Sequence, residues 1–124
     1  MNKVFDQFKC NEDLFYTVYD YLRFMKPAKW KDIHSIDDLN YLLVEEMKDL
    51  ATDAVNWLET LIDKIPVIAE STYDEKTTLY YMILSYMGKY HVWEPAYSLR
   101  NYENRKQLGV ETVKWLRDNI EKIS

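Results

Sequence analysis

The stretch IDDLNYLLVEEMKDLATDAVNWLETLIDKI, residues 36–65, decides how this chain is read. Its apolar side chains, Leu43, Val44, Met47, Leu50, Ala51, Ala54, Val55, Leu58, Leu61, Ile62 and Ile65, recur at spacings of three and four. That spacing gathers them on one side of an α-helix, whereas a strand needs alternation. The opposite side holds Glu45, Lys48, Asp49, Thr52, Asn56, Glu59 and Asp63. Ser35, with Asp38 three residues on, supplies an N-terminal capping pair, and Pro66 supplies the stop. The pattern predicts one continuous amphipathic helix over 36–65, about 45 Å long.

The same reading extends in both directions. Asn11 is a good helix cap, and Glu12 and Asp13 suit the positive end of the helix that follows. Leu14, Phe15, Val18, Leu22 and Met25 keep helical spacing until Pro27. Trp30 is expected to tuck inward. On the other side, Thr72 and Glu75 frame a second capping box. The run LYYMILSYM, residues 79–87, predicts a helix that is apolar and buried on every side, with Gly88 placed to end it. Such a helix carries more apolar surface than a small bundle covers, which allows a homodimer through it. Pro95 suits a first helical position. Gly109 either divides the last segment into two helices or sits inside one at a cost of about 1 kcal/mol. Val110, Val113, Leu116, Ile120 and Ile123 make the final stripe. The expectation is an all-α fold: a compact bundle of four to five helices in a single domain over residues 1–124.

Composition agrees. A chain of 124 residues with only two Gly and three Pro lacks the turn residues that a β-rich fold consumes. Cys10 stands alone, so neither an intramolecular disulfide nor a cysteine zinc site can form. The opening residues MNKVFDQFKCNED lack the apolar core of a signal peptide, and the apolar run LYYMIL, residues 79–84, is too short to span a bilayer. The reading is a cytoplasmic protein with no membrane partner.

The net charge of −5 is unevenly spread. Residues 1–36 sum to +1, residues 37–75 to −9 and residues 76–124 to +3. So acidic a centre argues against direct nucleic-acid binding, which needs clustered cations, and favours a basic partner or a metal ion. Glu46, Asp49 and Asp53 share one flank of the central helix, and Mg²⁺ prefers such carboxylates. All-α nucleotide pyrophosphohydrolases set an E-x-x-E on one helix against an E-x-x-D on the next. This chain resembles them in one short motif only, Glu46-x-x-Asp49, with Asp118-x-x-Glu121 as the nearest counterpart. That resemblance implies a Mg²⁺-dependent hydrolase of nucleotide-like substrates as the alternative reading.

No other catalytic pattern is present. The two histidines, His34 and His91, stand far apart, and neither follows an arginine at the spacing used by helical ribonuclease toxins. Two glycines cannot build a phosphate loop. What remains is a face of one charge and a run of rings. Glu45, Asp49 and Asp53 stack at i,i+4 with like charge, which costs a few tenths of a kcal/mol per pair. Tyr80, Tyr81, Tyr86, Tyr90, Trp93, Tyr97 and Tyr102 fall within 23 residues, and Tyr and Trp dominate protein–protein contacts. The leading expectation is a non-enzymatic helical binding protein without cofactor, of the inhibitor, immunity, anti-defence or adaptor type. It would meet a basic protein surface through Glu45, Asp49, Asp53, Glu59 and Asp63, with Tyr90, Trp93 and Tyr97 as anchors.

Overall fold

Helix α1 (Glu12–Met25) begins with the two acids expected of its first turn and buries Leu14, Phe15, Val18 and Leu22. The computed structural model describes residues 12–66, 74–90 and 99–123. Met25, placed in the same stripe by its spacing, is 47% exposed instead; it closes the helix just before Pro27 opens the single turn α2 (Pro27–Trp30). Trp30 is half-buried and meets Tyr19 edge-on, with ring centroids 6.1 Å apart.

The central stretch is helical in character but not one rod. The Asp38 carboxylate accepts from the backbone N–H of His34 (2.8 Å) and of Ser35 (3.3 Å), so the expected cap forms. It caps a 3₁₀ segment, Ile36–Tyr41, which stops at Leu42. Leu42 and Leu43 are both extended (ψ 155° and 147°), and helix α3 runs Val44–Glu59. A last 3₁₀ turn, Ile62–Lys64, precedes Pro66. Neither Gly nor Pro marks the step at 42–43. Packing causes it: the two extended residues uncouple the phase of the 3₁₀ segment from that of α3. Leu39 and Asn40 then bury in the segment that packs on α1, while Met47, Ala51, Ala54, Val55 and Leu58 bury along α3. Tertiary contact overrides local propensity here. Leu43 is left 78% exposed at the N-cap of α3, with no side-chain oxygen for the first-turn amides.

Helix α4 (Glu75–Tyr90) is capped two residues later than the sequence suggests. Asp74 accepts from the N–H of Lys76 (2.9 Å) and Thr77 (3.3 Å), and its own N–H donates to Thr77 Oγ1 (2.9 Å). Thr72 lies outside the described residues. Gly88 is an ordinary helical residue two positions before the end, not a left-handed terminator. Nor is α4 buried all round: Leu79, Met82, Ile83 and Met87 are, but Tyr81 is 40% exposed and Tyr90 60%. The Tyr81 ring meets Tyr80, and the Tyr90 ring meets Tyr86 and Trp115.

Helix α5 (Tyr102–Ile120) starts at Asn101, whose side chain accepts from Asn104 N at 3.2 Å. Gly109 lies inside this one helix. A Cβ there would stand 3.0 Å from Ile65 Cδ1 and 3.5 Å from Ile62 Cγ1, so the missing side chain is a notch that seats the 62–65 turn. Val110 departs from the expected stripe and is 47% exposed, whereas Val113, Leu116, Ile120 and Ile123 are buried.

Helix α1 packs on α3, α4 and α5, and α5 also packs on α3 and α4, giving an all-α bundle with no strand among the described residues. Its centre is Phe15, Leu22, Leu58, Leu79, Ile83 and Leu116, side chains whose burial is worth about 2 kcal/mol each. The α1–α4 seam also carries polar links: Asp13 accepts from Ser85 Oγ (2.8 Å) and pairs with Lys89, and Thr78 Oγ1 donates to the buried Asp20 at 3.2 Å. Among the described residues, no helix is long and apolar enough to cross a membrane.

Candidate functional site

Helix α3 divides the predicted acidic set in two. Glu59 and Asp63 are occupied within the fold. Arg117 on α5 pairs with Glu59 at 3.1 Å and donates to Asn56 Oδ1 at 2.7 Å. Lys106 stands 3.6 Å from Asp63, which also accepts from the Tyr102 hydroxyl at 3.2 Å. These groups fasten α5 to α3 and to the turn after it. Exposed pairs of this kind contribute at most about 1 kcal/mol each. Glu46 likewise faces Lys29 of α2, at 3.7 Å.

Glu45, Asp49 and Asp53 are different. All three are exposed, and none has an ion pair or side-chain hydrogen bond among the described residues. Their four-residue steps set the carboxylates about 6 Å apart along the axis. Glu45 and Glu46 lie in the first turn of α3, whose unpaired amides favour negative charge. Asp49 and Asp53 lie beyond the reach of that effect. Asp53 is felt inside the fold: burial pushes the Tyr21 hydroxyl above its ordinary pKa, and the Asp53 charge adds to the rise. At the N-terminal end of the acidic row stand Tyr41, 69% exposed, and Leu43. The sequence pattern had assigned Leu43 to the core stripe, so this apolar end of the ridge was hidden by the reading of 36–65 as one helix.

The aromatic residues also divide. Tyr90 joins Tyr86 (centroids 5.3 Å) and Trp115 of α5 (5.8 Å), and Tyr86 touches Trp115 at 5.6 Å. Tyr86 donates to Glu111 Oε1 at 3.0 Å; burial, then this bond to a carboxylate, raises its pKa. Lys89, held by Asp13, lies 5.2 Å from the Trp115 ring centroid. Tyr80 and Tyr81 form an edge-on pair of their own, at 5.7 Å, and Tyr102 lies under Arg105 at 5.5 Å. Trp93 and Tyr97 lie outside the described residues, as do Cys10 and His91. His34 is exposed.

Beside the Tyr86–Tyr90–Trp115 cluster, α4 and α5 leave an open groove of about 510 Å³ lined also by Glu111, Lys114, Asp118, Asn119 and Lys122. The sequence had marked Asp118 as a possible counterpart of Glu46 and Asp49. It stands in the α4–α5 groove, and no three His, Cys, Asp or Glu side chains converge to hold a metal ion among the described residues. The groove itself escaped the sequence reading because Trp115 falls beside the α5 apolar stripe rather than on it. Comparison of the chain with models of known protein families, with curated proteins and with solved structures finds no match.

Proposed function

We propose that this chain is a small non-enzymatic binding protein that acts by protein–protein contact, of the inhibitor, immunity, anti-defence or adaptor type. The α3 ridge is its docking surface, and a basic surface on another protein is its target. One observation carries the reading: Glu45, Asp49 and Asp53 form an unpaired row of one charge that ends at the exposed Tyr41 and Leu43. Solvation accounts for polar side chains there, but it does not account for like charges stacked at i,i+4 or for a bare leucine at a helix cap. Carboxylates in register steer a cationic partner and raise its rate of encounter. A tyrosine and a leucine beside them supply the apolar centre that interfaces need. The mechanism is occlusion, with acids meeting Lys and Arg of the target and the apolar pair excluding water. The exposed Tyr90, with Trp93 and Tyr97 as the further anchors expected from the sequence, extends the reading to the aromatic segment.

The test is affinity capture from the native cell with the wild-type chain and with the triple variant Glu45→Gln, Asp49→Asn, Asp53→Asn. A partner enriched by the wild type, lost with the triple variant and released by molar salt is the expected result. Glu59→Gln should keep that partner, because Glu59 is engaged by Arg117. Equal capture by wild type and triple variant overturns the reading.

A further inference from the structure

We infer that the α4–α5 groove is a site for a nucleoside monophosphate. Chemical groups of different kinds follow in order along α5 and the turn after it. Trp115, Asp118 with Asn119, and then Lys122 follow one another along the groove wall, and Tyr90 stands against Trp115 from α4. From Trp115 to Ile120 the helix advances about 7.5 Å, and Lys122 lies in the turn just beyond it. A nucleoside 5′-monophosphate presents its parts in the same sequence. A flat base stacks on aromatic rings, ribose hydroxyls donate to a carboxylate, and a phosphate takes an ammonium group.

The amide of Asn119 can both donate to and accept from a base edge. Lys114 and Lys122 have no ion pair or side-chain hydrogen bond among the described residues, and neither has Asp118. Lys114 and Lys122 balance Asp118 and Glu111 along the wall; the Glu111 carboxylate is engaged by Tyr86 and Gln107, so the two ammonium groups are the groups left to meet a phosphate. The volume of about 510 Å³ falls in the range of small-molecule sites.

A cationic ligand fits worse, although three clustered rings suggest one. Lys89 already lies 5.2 Å from the Trp115 centroid, so an incoming ammonium would meet a charge of its own sign. This site shares Tyr90 with the aromatic part of the proposed docking surface, but the acids of the α3 ridge lie on another helix, so the failure of one leaves the other standing.

The test is a titration of the ¹⁵N-labelled full chain with AMP to about 10 mM, a range that detects millimolar affinity, followed by amide and indole NMR shifts. The expected result is a saturable shift of the Trp115 indole N–H and of the Asp118 and Asn119 amides. Adenosine should shift the indole more weakly. Lys122→Gln lies past the last helical residue, on an exposed side chain, and should keep the free-state spectrum while weakening AMP about tenfold. Asp118→Asn should narrow the preference for AMP over its 2′,3′-dideoxy analogue. No shift in these residues, or the same shift from inorganic phosphate alone, overturns the proposal. Tighter binding of a single-stranded oligonucleotide through the same amides replaces it with a nucleic-acid site.

Discussion

Asp49 stands at the middle of the acidic row, four residues from Glu45 and four from Asp53, with no cation against it among the described residues. Each like-charge i,i+4 pair costs about 0.2–0.5 kcal/mol, and each opposite pair returns a similar amount. Counting Glu46 at i,i+3, Asp49→Gln removes three repulsions and should stabilise the fold by roughly 0.6–1.5 kcal/mol, plus a few tenths because Gln is the better helix former. Asp49→Lys replaces all three repulsions with attractions and should add roughly 0.6–1.5 kcal/mol beyond the Gln variant. Lys and Gln have similar helix propensity, so the difference between the two variants isolates the charge. In a chain of this size 1 kcal/mol corresponds to about 4 °C in Tm. Thermal unfolding followed by circular dichroism at 10 mM and 1 M NaCl measures it. The Lys variant should melt above the Gln variant at low salt, and the gap should close at 1 M, where the screening length falls to about 3 Å. A Lys variant no more stable than Gln at low salt, or a gap that survives 1 M NaCl, would refute the claim that the row is electrostatically strained. The same Lys variant should lose the partner, so that stability and binding move in opposite directions.

Three further outcomes follow from the geometry. Gly109→Ala gains up to about 1 kcal/mol of helix propensity but presses on the terminal methyl of Ile65, so urea denaturation should place it within about 0.5 kcal/mol of wild type. Gly109→Val adds methyls in a notch bounded by Ile62 and Ile65 and should cost about 2 kcal/mol. Tyr86 has its pKa raised in the fold by burial and by the Glu111 carboxylate. Its contribution is therefore fully present below pH of about 10, the unfolded value, and is lost as pH climbs through the raised folded value. Denaturation between pH 8 and 11 should show a shallower alkaline decline for Tyr86→Phe than for wild type. Finally, Glu46 faces Lys29, and Asp118 stands in the α4–α5 groove. Mg²⁺ at about 5 mM should therefore shift Tm by less than about 1 °C; a larger rise would revive the hydrolase alternative through mass action.

Legibility in the sequence followed the reach of each signal. Helix α1 was readable because its cap, stripe and stop are all local: Glu12 and Asp13, Leu14 to Leu22, and Pro27. The break at Leu42–Leu43 was not readable, because no local residue demands it and Leu43 keeps helical spacing with Met47. Gly109 was left open between two readings, and only the approach of Ile65 from another segment decides between them. The acidic row was visible as Glu45, Asp49 and Asp53, but which acids are engaged depends on cations far along the chain. Arg117 is 58 positions from Glu59, and Lys106 is 43 from Asp63. The groove was invisible for the same reason, since Tyr90 and Trp115 belong to different helices. Periodicity reports which side of one helix is wet and says nothing about which neighbour shares that wet side.

Leu43 gives the ridge a thermodynamic signature. At a helix N-cap, Ser, Thr, Asp or Asn would supply the oxygen that the first-turn amides lack, and leucine in such a place forgoes about 1 kcal/mol. The residue is also 78% exposed, so it recovers little of the free energy that burying an aliphatic side chain would return. Both deficits fall on the isolated chain; a docked molecule would relieve the second by burying Leu43, and the first only by supplying an oxygen acceptor to the first-turn amides. The folded chain is thus held above its own attainable minimum at one spot, and on the proposed binding reading a complex would discharge that excess.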